Sequence, residues 1–141
     1  TASTGNLPDR FETFETSRQR VKSDGISATA RRISATWFLK GEDSRGFENC
    51  AEIAEQASYQ AVIAGLDAME EWSLTNKLNN ISCPTGIIWG EGDRTYHWQQ
   101  VEILWRSIPG ASLAVLPGCA HAAHLEKPEL FNAILRELLF N

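Results

Sequence analysis

Two short apolar runs near the end of the chain each break into a loop that presents one ionisable side chain. The run at 87–90 leads through a glutamate and a glycine into Asp93, and the run at 112–116 leads through a proline-glycine turn into His121. Such runs are typical of buried strands followed by turns. A carboxylate that holds an imidazole in one tautomer lets the imidazole accept a proton from an attacking hydroxyl. The sequence therefore predicts that Asp93 and His121 are the acid and the base of a catalytic site.

The nucleophile that such a pair would activate is missing from the 141 residues. No serine has glycine at both i−2 and i+2, so the Gly-x-Ser-x-Gly turn that presents a nucleophilic serine does not occur. We therefore expect the serine and the oxyanion-hole N–H groups to lie in an N-terminal part outside this chain. The chain alone should then be inactive.

Other ionisable side chains near the pair have weaker claims. His124 is a rival base, but its position three residues after His121 favours packing at the start of the terminal segment. Cys119 is too close to His121 on a short loop for the two to meet as nucleophile and base, so a structural thiol is expected. Glu91 and Glu126 either brace the site or are simply exposed, and the sequence does not choose between these roles.

Aromatic residues supply candidate walls for a substrate pocket. Trp37 and Trp98 are predicted to bind substrate, and Trp72 is a further candidate. Aromatic residues at helical spacing are also typical of a core, so a packing role stays open for each.

The elements that must position these residues change in kind near Cys83. Before it, the spacing predicts helices over 8–25, 26–39, 47–56 and 57–72, with a short amphipathic connector over 73–80. After it, the pattern alternates: strand 85–89, helix 95–107, strand 112–116 and helix 128–140. Strands that alternate with helices at this spacing predict an α/β fold with parallel β-α-β units.

Composition excludes several classes of function. The chain has 43% hydrophobic and 22% charged residues, as in soluble globular proteins, and its net charge of −5 argues against nucleic-acid or anionic-membrane partners. No apolar run is long enough to span a bilayer. Three cysteines without metal-ligand spacing predict reduced thiols, a cytoplasmic location and no metal site, and no cofactor is expected.

The layout and its motifs resemble the C-terminal part of the α/β-hydrolase superfamily. The superfamily-level motifs are Trp-Gly-Glu-Gly-Asp at 89–93, Pro-Gly-Cys-Ala-His at 117–121 and Leu-Glu-Lys-Pro-Glu at 125–129. Within the superfamily the chain is most similar to 3-oxoadipate enol-lactonases and related hydrolases, through 18–25, 37–38, 59–66, 72–74, 83–85 and 121–129. The sequence departs from the family pattern in two places. Ala120 stands where glycine is common, and the segment 95–98 replaces a smaller loop after Asp93.

The resemblance implies a division of the chain and an activity. Residues 1–82 would be a helical cap with its connector, and residues 83–141 the last β-α-β-α part of the hydrolase core. The complete protein would be a serine hydrolase that acts on a small ester or lactone. The expected partners are that substrate and the N-terminal half as a companion chain, or a homo-oligomer.

Two other classes of function stay open. Thr1 could act as an N-terminal nucleophile, although it leads into a proline-started helix and not into a buried strand. The alternative is a non-catalytic protein on the same fold, which binds a small ligand or signals to a partner. An intact Asp93 and His121 argue against this alternative.

Overall fold

The computed structural model describes residues 2–140 and divides them into a helical half and a β-α-β-α half. The helical half contains α1 (Phe14–Thr36), α2 (Phe47–Ala54) and α3 (Tyr59–Glu71), with short 3-10 turns at Gly41–Asp43 and Thr75–Asn80. The second half contains β1 (Gly86–Gly90), α4 (Trp98–Ser107), β2 (Ser112–Leu116), α5 (Ala123–Glu126) and α6 (Pro128–Phe140). The predicted α/β class and the alternation after Cys83 are confirmed. Thr1, on which the N-terminal-nucleophile hypothesis depends, lies outside the described residues.

Helix α1 begins later than the sequence predicts, but it is interrupted at Gly25, where the sequence predicts the end of a helix. Pro8 and Asp9 form a turn, and the helix starts after Thr13, whose side chain accepts a hydrogen bond from the N–H of Thr16 at 3.1 Å. A hydroxyl cap of this kind satisfies one of the free N–H groups of the first turn. Gly25 has φ 81° and ψ 175°, so it separates two helical segments. That conformation is open to glycine at little cost.

The core of the helical half also reaches the loop that carries His121. Phe38, Phe47, Ala51 and Ala122 are buried together, and the rings of Phe38 and Phe47 meet edge to face with centroids 6.1 Å apart. The N–H of Ala122 donates to the carbonyl of Trp37 at 2.8 Å. The end of α1 is therefore tied directly to the residue that follows His121.

Strands β1 and β2 form a two-stranded parallel sheet, joined by α4. Gly86 pairs with Ser112, and the register runs on to Gly90 beside Leu116. Leu116, Cys119 and Ala123 are buried against Phe131 and Ile134 of α6. A second cluster of Leu78, Leu104 and Ile108 packs against Ile87. Since parallel strands end at the same edge of a sheet, the loops that follow β1 and β2 lie side by side.

The segment before α1 is bound to the connector after α3. Thr4 and Ser73 form an antiparallel bridge, and the N–H of Leu74 donates to the carbonyl of Ser3 at 2.7 Å. Every helix within residues 2–140 is too short or too polar to cross a membrane. In the same described part of the chain, no group of His, Cys, Asp or Glu side chains is arranged to hold a metal ion.

Candidate active site

The loop after β1 is interlocked with the loop after β2 through their backbones. The N–H of Glu91 donates to the carbonyl of Leu116 at 3.0 Å, and the N–H of Gly92 donates to the carbonyl of Cys119 at 2.9 Å. A side chain at Gly90 would lie 2.2 Å from the carbonyl oxygen of Ala120. Glycine at this position therefore allows the two loops to approach closely enough for Asp93 to reach His121.

The carboxylate of Asp93 is held at both oxygens. Oδ1 accepts hydrogen bonds from the N–H groups of Thr95 at 2.7 Å and Tyr96 at 3.1 Å. Oδ2 lies 3.0 Å from Nδ1 of His121, and the Asp93 side chain is only 4% exposed. Burial by itself would raise the pKa of Asp93, but the hydrogen bond and charge of His121 and the two backbone N–H groups outweigh burial and lower it. Asp93 is therefore an ionised acceptor at neutral pH.

The imidazole of His121 is oriented by this carboxylate. An ionised carboxylate can only accept, so in the neutral imidazole Nδ1 carries the proton and Nε2 is the acceptor. The ring is flanked by Tyr96, with centroids 5.3 Å apart, and by Trp37, with centroids 6.0 Å apart. The His121 side chain is 29% exposed. This is the tautomer that a general base for a hydroxyl nucleophile requires.

Two glutamates brace the loop that carries His121. Oε2 of Glu126 accepts from the N–H of Ala120 at 2.6 Å, and Oε1 accepts from the N–H of Leu39 at 2.8 Å. Oε1 of Glu91 accepts from the N–H of Gly118 at 2.9 Å. From the sequence, each of these glutamates could either brace the site or simply be exposed. The structure shows that both brace the loop that carries His121.

A cavity of about 180 Å³ opens beside His121. Its wall includes Tyr96, Thr95, Trp37, Arg10 and Phe11. Trp37 therefore lies where the sequence predicts a pocket wall. The sequence does not predict Arg10 and Phe11 as part of this wall, because no pattern in the segment before α1 indicates that its side chains lie near the site.

Trp98 is placed differently from Trp37. It is the first residue of α4, 38% exposed, with its ring 5.8 Å from that of Trp89. Trp98 is not part of the wall that residues 2–140 form around the cavity beside His121. Trp89 donates from Nε1 to the carbonyl of Tyr96 at 2.9 Å. Trp98 thus packs on the residue that supports the Tyr96 loop, and its predicted contact with substrate stays a prediction.

The two rival groups lie in different surroundings. Cys119 is buried and donates from Sγ to the carbonyl of Leu116 at 3.4 Å. Burial, and then the negative charge of Glu126, raise the pKa of this thiol. Such a thiol is a poor nucleophile. His124 is exposed, and its ring meets the ring of Phe131 edge to face at 5.8 Å.

Solved structures of hydrolases share this fold. The enol-lactonase from Burkholderia xenovorans LB400 superposes with a TM-score of 0.82 at 17% identity, covering 92% of this chain and 50% of that chain. An esterase from Thermogutta terrifontis superposes with a TM-score of 0.81 at 23% identity, covering 97% of this chain and 52% of that chain. The present chain thus spans about half the length of these proteins.

Sequence relatives point to the same family. A monoacylglycerol lipase of Xenopus laevis is 30% identical over 77 residues, which are 55% of this chain and 23% of the lipase. A pimeloyl-[acyl-carrier protein] methyl ester esterase of Nitrosospira multiformis is 35% identical over 74 residues, which are 52% of this chain and 28% of the esterase. The sequence model of the alpha/beta hydrolase family matches residues 2–134. Because that match takes in almost the whole chain, the protein belongs to the alpha/beta hydrolase family.

Proposed function

We propose that this chain supplies the acid and the base of a serine hydrolase that acts on small esters or lactones. The observation that carries the proposal is the hydrogen bond between Asp93 and His121, with Asp93 Oδ1 fixed by two backbone N–H groups. This arrangement selects one imidazole tautomer and leaves Nε2 free to accept a proton. Both residues lie on loops at the carboxyl ends of parallel strands, where open α/β sheets place their sites.

In the proposed reaction, Nε2 of His121 accepts the proton of a serine hydroxyl as the hydroxyl oxygen attacks the ester carbonyl. Asp93 stays ionised and stabilises the imidazolium that forms. His121 then returns the proton to the leaving alcohol, which releases it and leaves an acyl-enzyme. In the second half, His121 takes a proton from water as the water oxygen attacks the acyl carbon. The bond from that carbon to the serine oxygen then breaks, the serine oxygen takes the proton back from His121, and the acid is released.

The substrate class is supported by the wall of the cavity and by the relatives. Trp37 and Phe11 offer apolar surface beside His121, and Thr95, Tyr96 and Arg10 offer polar groups. A mostly apolar cavity with a few polar groups is typical of sites for small organic ligands. The relatives include a lipase, a methyl ester esterase and an enol-lactonase. Esters and lactones share the acyl carbonyl that this chemistry requires.

The remaining parts of the hypothesis concern the rest of the fold. We propose that the serine lies in an N-terminal half, present as a companion chain, and that residues 1–82 cap the site while 83–141 complete the core. A homo-oligomer is the alternative arrangement. The cytoplasmic location predicted from Cys50, Cys83 and Cys119 stays a prediction.

The test uses the protein that contains both halves and compares its two neighbouring histidines. We expect His121→Ala to lower kcat on short p-nitrophenyl esters by about three to six orders of magnitude, because the triad acts as a unit. Labelling by a fluorophosphonate, which reacts with activated serines, should fall with it. His124→Ala is the matched control, and it should keep most of kcat because His124 is exposed and its ring packs against the ring of Phe131.

Two outcomes would overturn the proposal. One is esterase activity that survives His121→Ala but not His124→Ala. The other is a well-folded protein with both halves that neither hydrolyses short acyl substrates nor reacts with the fluorophosphonate. The second outcome would favour the non-catalytic binding protein.

A further inference from the structure

Tyr96 is held by its backbone between the predicted acid and strand β1. Its N–H donates to Oδ1 of Asp93 at 3.1 Å, and its carbonyl accepts from Nε1 of Trp89 at 2.9 Å. Trp89 belongs to β1, so this second bond ties the loop back to the strand. Because the backbone is fixed on both sides, the side chain of Tyr96 extends from a defined point next to Asp93.

The ring of Tyr96 packs against the predicted base. Its centroid is 5.3 Å from that of the His121 imidazole, and the two planes are tilted by 50°. The indole of Trp37 meets the same imidazole, with centroids 6.0 Å apart and a tilt of 57°. Burial raises the pKa of the Tyr96 phenol, so this side chain is uncharged at neutral pH. The imidazole therefore has two uncharged aromatic rings as neighbours.

A third aromatic ring belongs to the same wall. Phe11 lines the cavity beside His121 together with Trp37 and Tyr96. The three rings come from separate segments, namely the segment before α1, the end of α1 and the loop after β1. All three are contributed by this chain, so the wall is aromatic whatever the rest of the protein adds to the cavity.

The proposed chemistry places the alcohol part of the ester beside these rings. Nδ1 of His121 is engaged by Asp93 at 3.0 Å, so protons are exchanged with the substrate at Nε2. When the acyl-enzyme forms, the leaving oxygen takes its proton from Nε2, which requires a separation of about 2.6–3.2 Å. The carbon atoms bonded to that oxygen are then within reach of the rings around His121.

We propose that Tyr96, with Trp37 and Phe11, forms an aromatic site for the alcohol part of the substrate and favours esters of phenols and arylmethanols. This inference rests on the proposed function, because it assigns the leaving group for the same site. Aromatic rings attract one another in tilted and offset arrangements beyond the effect of buried area. A saturated ring of similar size has no π-face and gains only apolar contact. The segment 95–98, which supplies Tyr96, departs from the family pattern, so the site is a property of this sequence.

The test compares esters of one acid in the protein that contains both halves. Benzyl butyrate and cyclohexylmethyl butyrate have alcohol parts of similar size, and they differ in whether the ring is flat and aromatic. We expect the wild-type protein to prefer the benzyl ester by about 3–10-fold in kcat/KM, which is the order of gain from an aromatic pair. Methyl butyrate has no ring in its alcohol part, so it reports changes in His121 itself.

Three variants separate the ring of Tyr96 from its other properties. Tyr96→Leu keeps an apolar side chain but removes the ring, so the preference for the benzyl ester should fall by about 2–5-fold. In this variant kcat/KM should also fall further for benzyl butyrate than for methyl butyrate. Tyr96→Phe keeps the ring and should keep the wild-type preference, as should Tyr59→Leu, which removes an exposed tyrosine from α3. Each preference is a ratio from one preparation, so it does not depend on the folded fraction.

Two further esters show on which side of the substrate Tyr96 acts. Methyl phenylacetate and methyl cyclohexylacetate carry an aromatic and a saturated ring in the acyl part. We expect Tyr96→Leu to change the ratio of their kcat/KM values by less than about twofold, because the acyl part does not take the proton of His121. A larger change for this pair than for the two butyrates would assign Tyr96 to the acyl part and overturn the proposal.

The remaining outcomes distinguish this proposal from the one on which it rests. The aromatic alcohol site is refuted if the wild-type protein does not prefer benzyl to cyclohexylmethyl butyrate, or if Tyr96→Leu keeps the wild-type preference. If His121→Ala is inactive in that same experiment, the proposed function stands and only the role of Tyr96 is lost. If the wild-type protein hydrolyses none of these esters, or if His121→Ala hydrolyses them at the wild-type rate, the proposed function itself fails.

Discussion

The carboxylate of Glu126 accepts a hydrogen bond from the backbone N–H of Ala120, at 2.6 Å. Its second oxygen accepts from the N–H of Leu39, at 2.8 Å. One side chain therefore joins the residue before His121 to the segment that follows α1. This link fixes the base relative to the wall that contributes Trp37.

Replacing Glu126 by glutamine should loosen that link. An amide has one acceptor oxygen, so one of the two backbone N–H groups would face an NH₂ group and lose its acceptor. We expect the free energy of unfolding to fall by about 1.5–3 kcal/mol, as for loss of a charged hydrogen bond. Thermal melts of Glu126→Gln beside Glu137→Gln, an exposed control on α6, check this. Equal melting temperatures for the two variants would show that the bridge contributes little.

The sequence predicts the backbone frame of the site well because its signals are local. Each apolar run ends at a glycine or proline, so the strand ends and the loops carrying Asp93 and His121 can be recognised without long-range information. The bridge from Glu126 is different, since Leu39 lies 87 residues away in the chain. A contact of that range leaves no periodic signal in either segment.

The pocket walls show the same limit. Trp37 and Trp98 are both tryptophans predicted to bind substrate, and only their packing in the structure distinguishes them. Trp37 ends α1 beside His121, whereas Trp98 begins α4 and packs on Trp89. Arg10 follows a turn at Pro8 and Asp9 where the sequence pattern predicts a helix. The sequence therefore does not predict that Arg10 lines the cavity beside His121.

The lowered pKa of Asp93 predicts how stability depends on pH. The folded pKa lies below the unfolded value of about 3.9, so the stability contributed by this carboxylate is fully present above about pH 4. It is lost as the pH falls through the folded pKa. We expect the wild-type melting temperature to drop more than that of Asp93→Asn when both are measured from pH 6 to pH 2. A difference between the two proteins that stays constant over this range would contradict the prediction.

The surface of the small sheet predicts the behaviour of the 141-residue chain by itself. Val115 of β2 is 45% exposed and Leu139 of α6 is 64% exposed, and each strand has one edge unpaired within residues 2–140. Exposed apolar strands with free edges associate. We expect light scattering to show oligomers or aggregates, and co-expression with the proposed companion half to suppress them. A monodisperse species at 15.7 kDa with a cooperative melt would refute this.

Two glycines give a matched test of how closely the loops of the site must approach. A Cβ at Gly90 would lie 2.2 Å from the carbonyl oxygen of Ala120. This oxygen is a backbone atom, so it cannot rotate away as the end of a flexible side chain can. Gly90→Ala should therefore push the Asp93 loop away from the His121 loop, with a loss of stability of about 1–3 kcal/mol.

Gly65 is an exposed residue of α3, and within residues 2–140 a Cβ added there would meet no atom within 4 Å apart from its chain neighbours and the backbone of its own helix. Gly65→Ala should instead stabilise the protein by about 0.5–1 kcal/mol, because alanine loses less backbone freedom in a helix. In the protein with both halves, kcat on short esters should fall in Gly90→Ala and stay unchanged in Gly65→Ala. Since the lost activity reflects displaced loops and not a missing side chain, Asp93 and His121 would both be intact yet no longer 3.0 Å apart. A Gly90→Ala variant with full kcat would mean that the two loops can separate without breaking the pair.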